Sequence, residues 1–274
     1  MDTEKVLITV KTYPTLSKTH VELVCTAGLR EDGSWIRLYP IPYRLLDEEL
    51  RFPKWQWVRL PVVRRVKDHR QESYSPADLN RIDMLETMGT ADNWRERRRL
   101  VLKRSRVWTN MADLIEAAKQ EKVSLATFKP ARMLGLVIEE EEEREWSFAA
   151  LKNVRQTLRQ GDLFREQEDT WAFMPAEKIP YGFYYRFEDE AGKESRLKII
   201  DWEIGMLYRK CLRKARGHEA VACAKVREMY EARFFKMDLH LFLGTTHAWH
   251  DRAQNPWMVV GVFPLPIELQ GELL

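Results

Sequence analysis

Three side chains in one strand-like segment could stack on flat rings and hold a phosphate group. Trp35, Arg37 and Tyr39 alternate with apolar residues between an Asp-Gly turn signal and a pair of prolines. Because successive side chains of a strand point to opposite faces, these three lie on one face. Aromatic rings stack on bases and a guanidinium group binds phosphate, so the row predicts a surface for single-stranded nucleic acid. The alternative is that the two rings pack beneath a helix of the same domain, since aromatic residues are common in ordinary strands.

A second group of residues is strongly basic. The segment Asn93–Trp108 is rich in good helix formers and predicts a helix. At helical spacing its cationic side chains form one row, namely Arg95, Arg98, Arg99 and Lys103. Like charges this close repel one another unless an anion neutralises them, and a phosphate backbone is one such anion. The alternative is pairing with carboxylates of the same chain, for instance the acidic run Glu139–Glu143.

A third group, near the end of the chain, could bind a metal or transfer protons. His247 and His250 are three positions apart, Asp251 follows directly, and His240 precedes them on a predicted strand. Imidazole and carboxylate groups serve both as metal ligands and as general bases. Their spacing matches no established zinc or hydrolase motif. The alternative is an ordered loop between two strands, in which the histidines are exposed or cap the backbone.

Two further carboxylates flank a tryptophan. On an extended segment Asp201 and Glu203 would face the same way, as the carboxylates of a metal-dependent nuclease do. Asp201 also stands directly before an apolar stripe with helical spacing, and Gly217 follows the end of that stripe. We therefore interpret Asp201 as the N-cap of a helix, which makes a nuclease site the weaker hypothesis.

The elements that must position these groups differ along the chain. Short strand-like segments separated by Pro, Gly, Ser and Asp fill most of the first half, and helices follow in the middle. The second half predicts a hairpin with Gly192 in its turn, two helices and two final strands. Short strands at this spacing are typical of small barrels or sandwiches. The predicted fold class is α+β, divided near Ala126 into domains of residues 1–126 and 127–274.

Composition narrows the functional classes only moderately. The 274 residues carry a net charge of only +3, so a nucleic-acid partner must be argued from local clusters rather than from total charge. Three cysteines without a Cys-x-x-Cys pair predict reduced thiols rather than disulfides or a zinc site. The sequence predicts neither a signal peptide nor a membrane-spanning segment, and hence a cytoplasmic protein without a membrane partner.

Several long motifs resemble those of a known family. They are KTYPTLSKTHVELVCTAGLREDGSWIRLYPIPYR at the front, IPYGFYYRF and DWEIGMLYRKC in the second half, and DLHLFLGTTHAWHDRAQNPWMVVGVFPLP near the end. Their order resembles that of a largely uncharacterised bacterial family described as a dual OB-containing domain. The resemblance implies two small OB-like β-barrels with helical insertions, one in each predicted domain. It further implies a bacterial or phage setting near defence or mobile-element genes, and it brings no assigned catalytic residues.

Because OB barrels commonly bind single strands across one sheet face, we predict a non-enzymatic protein that binds or senses nucleic acid. Its predicted binding residues are Trp35, Arg37, Tyr39, Arg95, Arg98, Arg99 and Lys103. The expected partner is single-stranded nucleic acid or a complex containing it, and we predict no cofactor, catalytic residue or metal ligand. One alternative is a protein–protein interaction module of a larger assembly, with the aromatic residues as anchors. Another is a metal-dependent enzyme that uses the region of His240, His247 and His250.

Overall fold

The computed structural model describes residues 2–17, 21–120, 122–161 and 174–267. Its first seven strands are β1 (Asp2–Lys11), β2 (Thr15–Ser17), β3 (Val21–Leu29), β4 (Trp35–Ile41), β5 (Gln56–Arg64), β6 (Ser73–Pro76) and β7 (Asp83–Thr87). The other described strands are β8 (Val107–Trp108), β9 (Leu125–Phe128), β10 (Arg132–Glu140), β11 (Tyr181–Glu188), β12 (Glu194–Ile199), β13 (Asp238–Thr245) and β14 (Trp257–Leu265). The described α-helices are α1 (Ala91–Arg98), α2 (Met111–Gln120), α3 (Phe148–Gly161), α4 (Trp202–Lys214) and α5 (Glu219–Arg227).

Strands of the first half close into a small barrel. The barrel strands follow the order β1, β3, β4, β6, β5, and β5 returns to pair with β1. β4 and β6 run parallel, whereas the other barrel neighbours run antiparallel. Alternation along β1 and β4 brings Val6, Ile8, Ile36 and Leu38 into one apolar core, which fills the barrel. The predicted α+β class with small barrels is confirmed, and the strand order is consistent with an OB-like barrel.

The second sheet repeats the strand order of the first without the same closure. Its path is β10, β11, β12, β14, β13, β9, β8. Among β10–β14, the third and fifth strands in the chain are β12 and β14, and they pair in parallel. The third and fifth barrel strands in the chain, β4 and β6, also pair in parallel. The free side of β13 pairs with β9, whereas the corresponding strand of the barrel returns to β1. β14 lies between β12 and β13 and is therefore an interior strand, as its apolar sequence on both faces predicts.

The two sheets share an apolar core. Leu7 and Trp35 from the barrel belong to the same buried cluster as Phe242 and Phe263 from the second sheet. The edge of the Trp35 ring faces the Phe242 ring, with centroids 5.3 Å apart. The sheets divide between β7 and β8, and Ala126, where the sequence predicts the domain boundary, lies within β9 of the second sheet. No local signal marks this point, since β8 and β9 join the second sheet without a Gly- or Ser-rich linker.

Local signals explain some helix ends and fail at others. Asp201 is the N-cap of α4, because its side chain accepts a hydrogen bond from the Glu203 amide, and Gly217 beyond the helix has φ +88°. The helix predicted over Asn93–Trp108 is shorter than expected. A π-helical turn, Arg99–Arg104, ends it, and Trp108 belongs to β8. Leu100 and Val101, adjacent in that turn, are both buried in the core shared by the sheets.

None of the helices in the described ranges combines the length and apolar character that crossing a bilayer requires.

Candidate functional site

The predicted stacking row does not form an open surface. Trp35 is 9% exposed and Arg37 2% exposed, whereas Tyr39 is half-buried. The alternation along β4 is as predicted, but the second domain covers Trp35 and Arg37 on the face that carries these three residues. Trp35 packs on Phe242. The alternative prediction of a packed ring is therefore right for Trp35, but the ring packs on a strand of the other domain rather than on a helix of its own. The prediction of an exposed aromatic–arginine–aromatic platform is therefore wrong.

The domains instead line a half-open cavity of about 640 Å³ beside this strand. Its volume lies within the range of small-molecule sites, roughly 300–1,000 Å³. The basic side chains that line it are Arg37, Arg65, Lys67, Arg70, Lys178 and Lys198. The acidic ones are Asp68, Glu141 and Asp201, and the large aromatic ones are Tyr13, Tyr39, Trp146, Tyr181 and Phe183. The lining thus combines an excess of positive charge with flat rings.

Arg37 spans the domain boundary at one wall of this cavity. Its Nη1 donates to Ser124 Oγ at 2.7 Å, and its Nη2 donates to Ser124 O at 2.9 Å and Thr245 O at 3.3 Å. The Arg37 Nε–H lacks a hydrogen-bond partner among the residues described. Burial lowers the pKa of the guanidinium group. Arg37 is therefore a buried cation held mainly by neutral oxygens of the second domain, with a donor left over beside the cavity.

A second buried arginine lies next to it. Arg70 donates from Nε and Nη2 to both oxygens of Asp68, at 2.8 and 2.6 Å, and from Nη1 to Thr245 O at 2.7 Å. Burial opposes ionisation of Asp68, but the hydrogen bonds and charge of Arg70 outweigh it and hold the pKa of Asp68 well below its usual range. Thr245 O thus accepts hydrogen bonds from two arginines of the first domain, which fixes the end of β13 against the barrel.

A cluster of imidazole and carboxylate groups lies beside Arg70. His69 comes from the loop after β5, while His250 and Asp251 come from the loop after β13. One donor atom from each lies within 4.8 Å of the other two. His69 Nε2 lies 2.8 Å from Asp251 Oδ2, and Lys122 Nζ lies 3.1 Å from Asp251 Oδ1. His247, which lines the cavity, has its ring centroid 5.5 Å from that of His69.

The fold places His250 and His240, which the sequence grouped together, in different surroundings. His250 is fully buried, with Nδ1 2.8 Å from Thr245 Oγ1. Burial lowers the pKa of His250, so its ring is neutral at pH 7. His240 lies apart, buried with Nδ1 3.3 Å from Asp238 O and its ring near Phe263. Sequence reasoning missed His69, although the triplets DHR at 68–70 and HDR at 250–252 give each loop a similar polar signal.

The basic row is split between two environments. Arg95 and Arg99 are exposed and pair with Asp92 at 3.2 Å and Glu96 at 2.8 Å, and Lys103 is exposed as well. Arg98 is tied to the second domain through Pro266 O and Asp238. The partners of the arginines are therefore near neighbours and Asp238. Carboxylates of the acidic run pair elsewhere, with Arg196, Arg144, Lys198 and Lys178. Arg95 and Arg99 border a different pocket from the domain-boundary cavity.

The carboxylate pair is structural in its contacts. Asp201 Oδ1 accepts a hydrogen bond from Lys54 Nζ at 2.7 Å, and Glu203 contacts the same ammonium group. Lys54 belongs to the barrel domain, so this ion pair joins the start of α4 to the first domain. Both carboxylates are engaged by one cation and a helix N-terminus, which favours the N-cap interpretation over a nuclease site.

Gly205 allows Tyr13 to line the cavity. A Cβ at Gly205 would overlap the Tyr13 ring, and the Tyr13 hydroxyl is fixed by donating to Glu177 O at 2.9 Å. We expect Gly205→Ala to lower the free energy of unfolding by about 1–3 kcal/mol, because overpacking outweighs the gain of about 1 kcal/mol in helix propensity. Urea unfolding of both proteins measures the difference. Gly89→Ala, at a site with open space, is the matched control and should be neutral or slightly stabilising.

Comparison with known proteins gives the family. Residues 2–103 match the model of a domain of unknown function, DUF8758, and residues 107–272 match another domain of unknown function, DUF8757. The junction of the two matches coincides with the division between the sheets. A search of curated proteins found no match. The two-domain family predicted from the sequence motifs is confirmed: the chain belongs to the DUF8757 family and carries a DUF8758 domain directly before it.

Proposed function

We propose that this protein binds nucleic acid, and that the cavity between its domains receives a nucleotide of a single strand. The observation that carries the proposal is the lining of the cavity, where basic side chains outnumber acidic ones and stand among aromatic rings. Single-strand binding sites combine these features, because cations track the phosphates and rings stack on the bases. The role predicted for the surface of β4 thus moves to the cavity, with Tyr39 and Arg37 still among its lining residues.

The basic groups at the cavity differ in what they can offer a phosphate. Arg70 is fully engaged by Asp68 and Thr245 O, and Lys198 Nζ lies 2.5 Å from Glu141 Oε1. Lys67 is exposed, and Lys178 lies 3.5 Å from a largely exposed carboxylate, that of Glu143. The Lys178 side chain is itself only 20% exposed, but an ion pair whose carboxylate lies in solvent is weak and is readily exchanged for a phosphate. Lys67 and Lys178 are therefore the proposed phosphate contacts.

We expect the double variant Lys67→Ala, Lys178→Ala to bind a single-stranded oligonucleotide of about 16 nucleotides at least about tenfold more weakly. Loss of two phosphate contacts should also reduce the slope of log affinity against log salt by about 1.4, at about 0.7 per contact for single strands. Fluorescence anisotropy with labelled DNA and RNA, at about 50 and 200 mM salt, measures both quantities.

The matched control is Lys210→Ala, Lys214→Ala, which removes the same charge from exposed positions of α4. It should leave the affinity within about twofold, because these lysines lie outside the cavity lining. Equal losses in the two double variants would show a general effect of charge and contradict the cavity site. A wild-type protein without affinity for any oligonucleotide at low salt would contradict the function itself and favour a protein partner.

The exposed members of the basic row are a second proposed contact. Arg95, Arg99 and Lys103 lie on the surface of the helix, where their carboxylate neighbours are exposed too. A backbone leaving the cavity could exchange these weak pairs for phosphates. The same anisotropy assay applied to a triple alanine variant measures their share.

A further inference from the structure

We infer that His69, His250 and Asp251 form a binding site for a divalent transition metal, which bridges the two domains. Two imidazoles and one carboxylate are the donor set of Zn²⁺ and its neighbours in the first transition row, not of Mg²⁺ or Ca²⁺. One donor atom from each residue lies within 4.8 Å of the other two. Two ligands bound to Zn²⁺ lie about 3.3 Å apart, so small rotations of exposed side chains suffice to bring them into place.

His250 provides an independent indication. The ring is completely buried, yet its Nε2 has no hydrogen-bond partner within the described part of the chain. Leaving such an atom unsatisfied costs about 1–3 kcal/mol. Its Nδ1 lies 2.8 Å from Thr245 Oγ1, and an Nδ1–H that donates there leaves the lone pair on Nε2. Metal-binding histidines have this arrangement, in which the second ring nitrogen is fixed by a hydrogen bond.

The contacts of Asp251 and His69 fit the same site. His69 Nε2 and Asp251 Oδ2 lie 2.8 Å apart, so these two donor atoms already converge. Lys122 holds the other carboxylate oxygen, Oδ1, and would keep holding it when Oδ2 binds a metal. Arg70, another cation beside this cluster, is matched by Asp68. The side chains of His69 and Asp251 are partly exposed, which leaves water or a phosphate oxygen access to a remaining coordination position.

His247 completes the surroundings on the cavity side. It lies in a second group of converging donors with Asp68 and His69, again within 4.8 Å. The donor atom of His247 does not group with those of His250 and Asp251, so His247 lies next to the metal site rather than in it. The bridge has a structural consequence: a metal held by His69 of one domain and His250 of the other stabilises the contact between them.

The test uses the metal alone, without any oligonucleotide, so its failure would leave the proposed nucleic-acid binding untouched. Protein dialysed against a chelator is titrated calorimetrically with Zn²⁺ and Mg²⁺, and Co²⁺ absorption reports the ligand geometry. We expect one Zn²⁺ per chain, no competing effect of excess Mg²⁺, and a higher thermal midpoint with Zn²⁺ present. The exposed-ligand variants His69→Ala and Asp251→Asn should each bind at least about 100-fold more weakly.

Two more variants keep the result interpretable. Thr245→Val preserves the shape of the side chain and removes the hydroxyl beside His250 Nδ1, so affinity should fall about 10–100-fold while the stoichiometry stays the same. His218→Ala removes an exposed histidine outside the cluster and should change nothing. The site is refuted by Zn²⁺ binding that His69→Ala and Asp251→Asn leave intact, by preference for Mg²⁺, or by no binding at all.

Discussion

Replacing Arg37 with alanine should lower the free energy of unfolding by about 1.5–3 kcal/mol, the contribution of a hydrogen bond to a charged group. Its guanidinium group makes hydrogen bonds to Ser124 Oγ and O and to Thr245 O, all in the other domain. After the change, Ser124 O loses its charged donor and a cavity remains where the long side chain was.

Equilibrium unfolding in guanidinium chloride, followed by tryptophan fluorescence, measures this effect. Arg59→Ala is the matched control, because Arg59 is an exposed arginine on strand β5 of the same barrel, and it should stay within about 0.5 kcal/mol of the wild type. Arg37→Lys keeps the charge but not the planar fork, so it should recover only part of the loss. A loss below about 1 kcal/mol for Arg37→Ala would mean that the cost of desolvating the guanidinium group cancels the contacts.

Arg37 also illustrates what the sequence could predict. The alternation of Trp35, Arg37 and Tyr39 with Ile36 and Leu38 correctly predicts a strand and its two faces, because the side-chain period of two is local. The burial of the polar face was beyond such reasoning, since the covering atoms come from Ser124 and Thr245, far along the chain. A polar face in a strand indicates solvent only when no second domain packs on it.

The prediction of one exposed basic row on the helix fails for a related reason. Helical spacing groups Arg95, Arg98 and Arg99 correctly, yet only the approach of the second domain decides that Arg98 contacts Asp238 and Pro266. Arg97, between them, is buried against the rings of Trp55 and Trp94, and burial lowers its pKa to about 10. The row of like charges predicted from this sequence is therefore a mixture of exposed side chains and side chains at the domain boundary.

The histidine cluster could be predicted from the sequence only in part. His247, His250 and Asp251 were predictable as a group because they share one loop. His69 was not, since its link to Asp251 joins the two domains and no spacing in the sequence encodes it. His240 was included wrongly for the opposite reason: proximity in sequence placed it with the group, while β13 carries it to the other end of the strand.

Lys11 should make the stability of the protein rise with pH between about 8 and 10.5. Its ammonium group is buried at the domain boundary, where Nζ donates to Phe52 O at 3.1 Å and Tyr43 Oη at 3.2 Å and lies 5.5 Å from the Trp202 ring centroid. Burial lowers the pKa of Lys11 to about 8 from 10.5, against the smaller opposing effects of Glu203 and Asp201. The neutral oxygens and rings around it do not replace the lost hydration.

The direction of the pH effect follows from proton counts. Between pH 8 and 10.5 the unfolded chain still holds the Lys11 proton while the folded chain has released it, so the free energy of unfolding increases with pH across this window. At 1.36 kcal/mol per pKa unit, the whole increase amounts to about 3 kcal/mol. Below pH 8 both states are protonated, and the full penalty of burying the charge is present.

The isosteric variant Lys11→Met tests this directly. It has no proton to release, so urea unfolding at several pH values should show the wild type gaining about 3 kcal/mol relative to Lys11→Met between pH 8 and 10.5. Taking the difference cancels other groups that titrate in this window, such as the cysteines. Lys210→Met, at an exposed position of α4, is the control and should follow the wild-type profile. Parallel profiles for wild type and Lys11→Met would place the lysine in a hydrated environment, contrary to a tightly packed contact between Tyr43 of the barrel and Trp202 of the second domain.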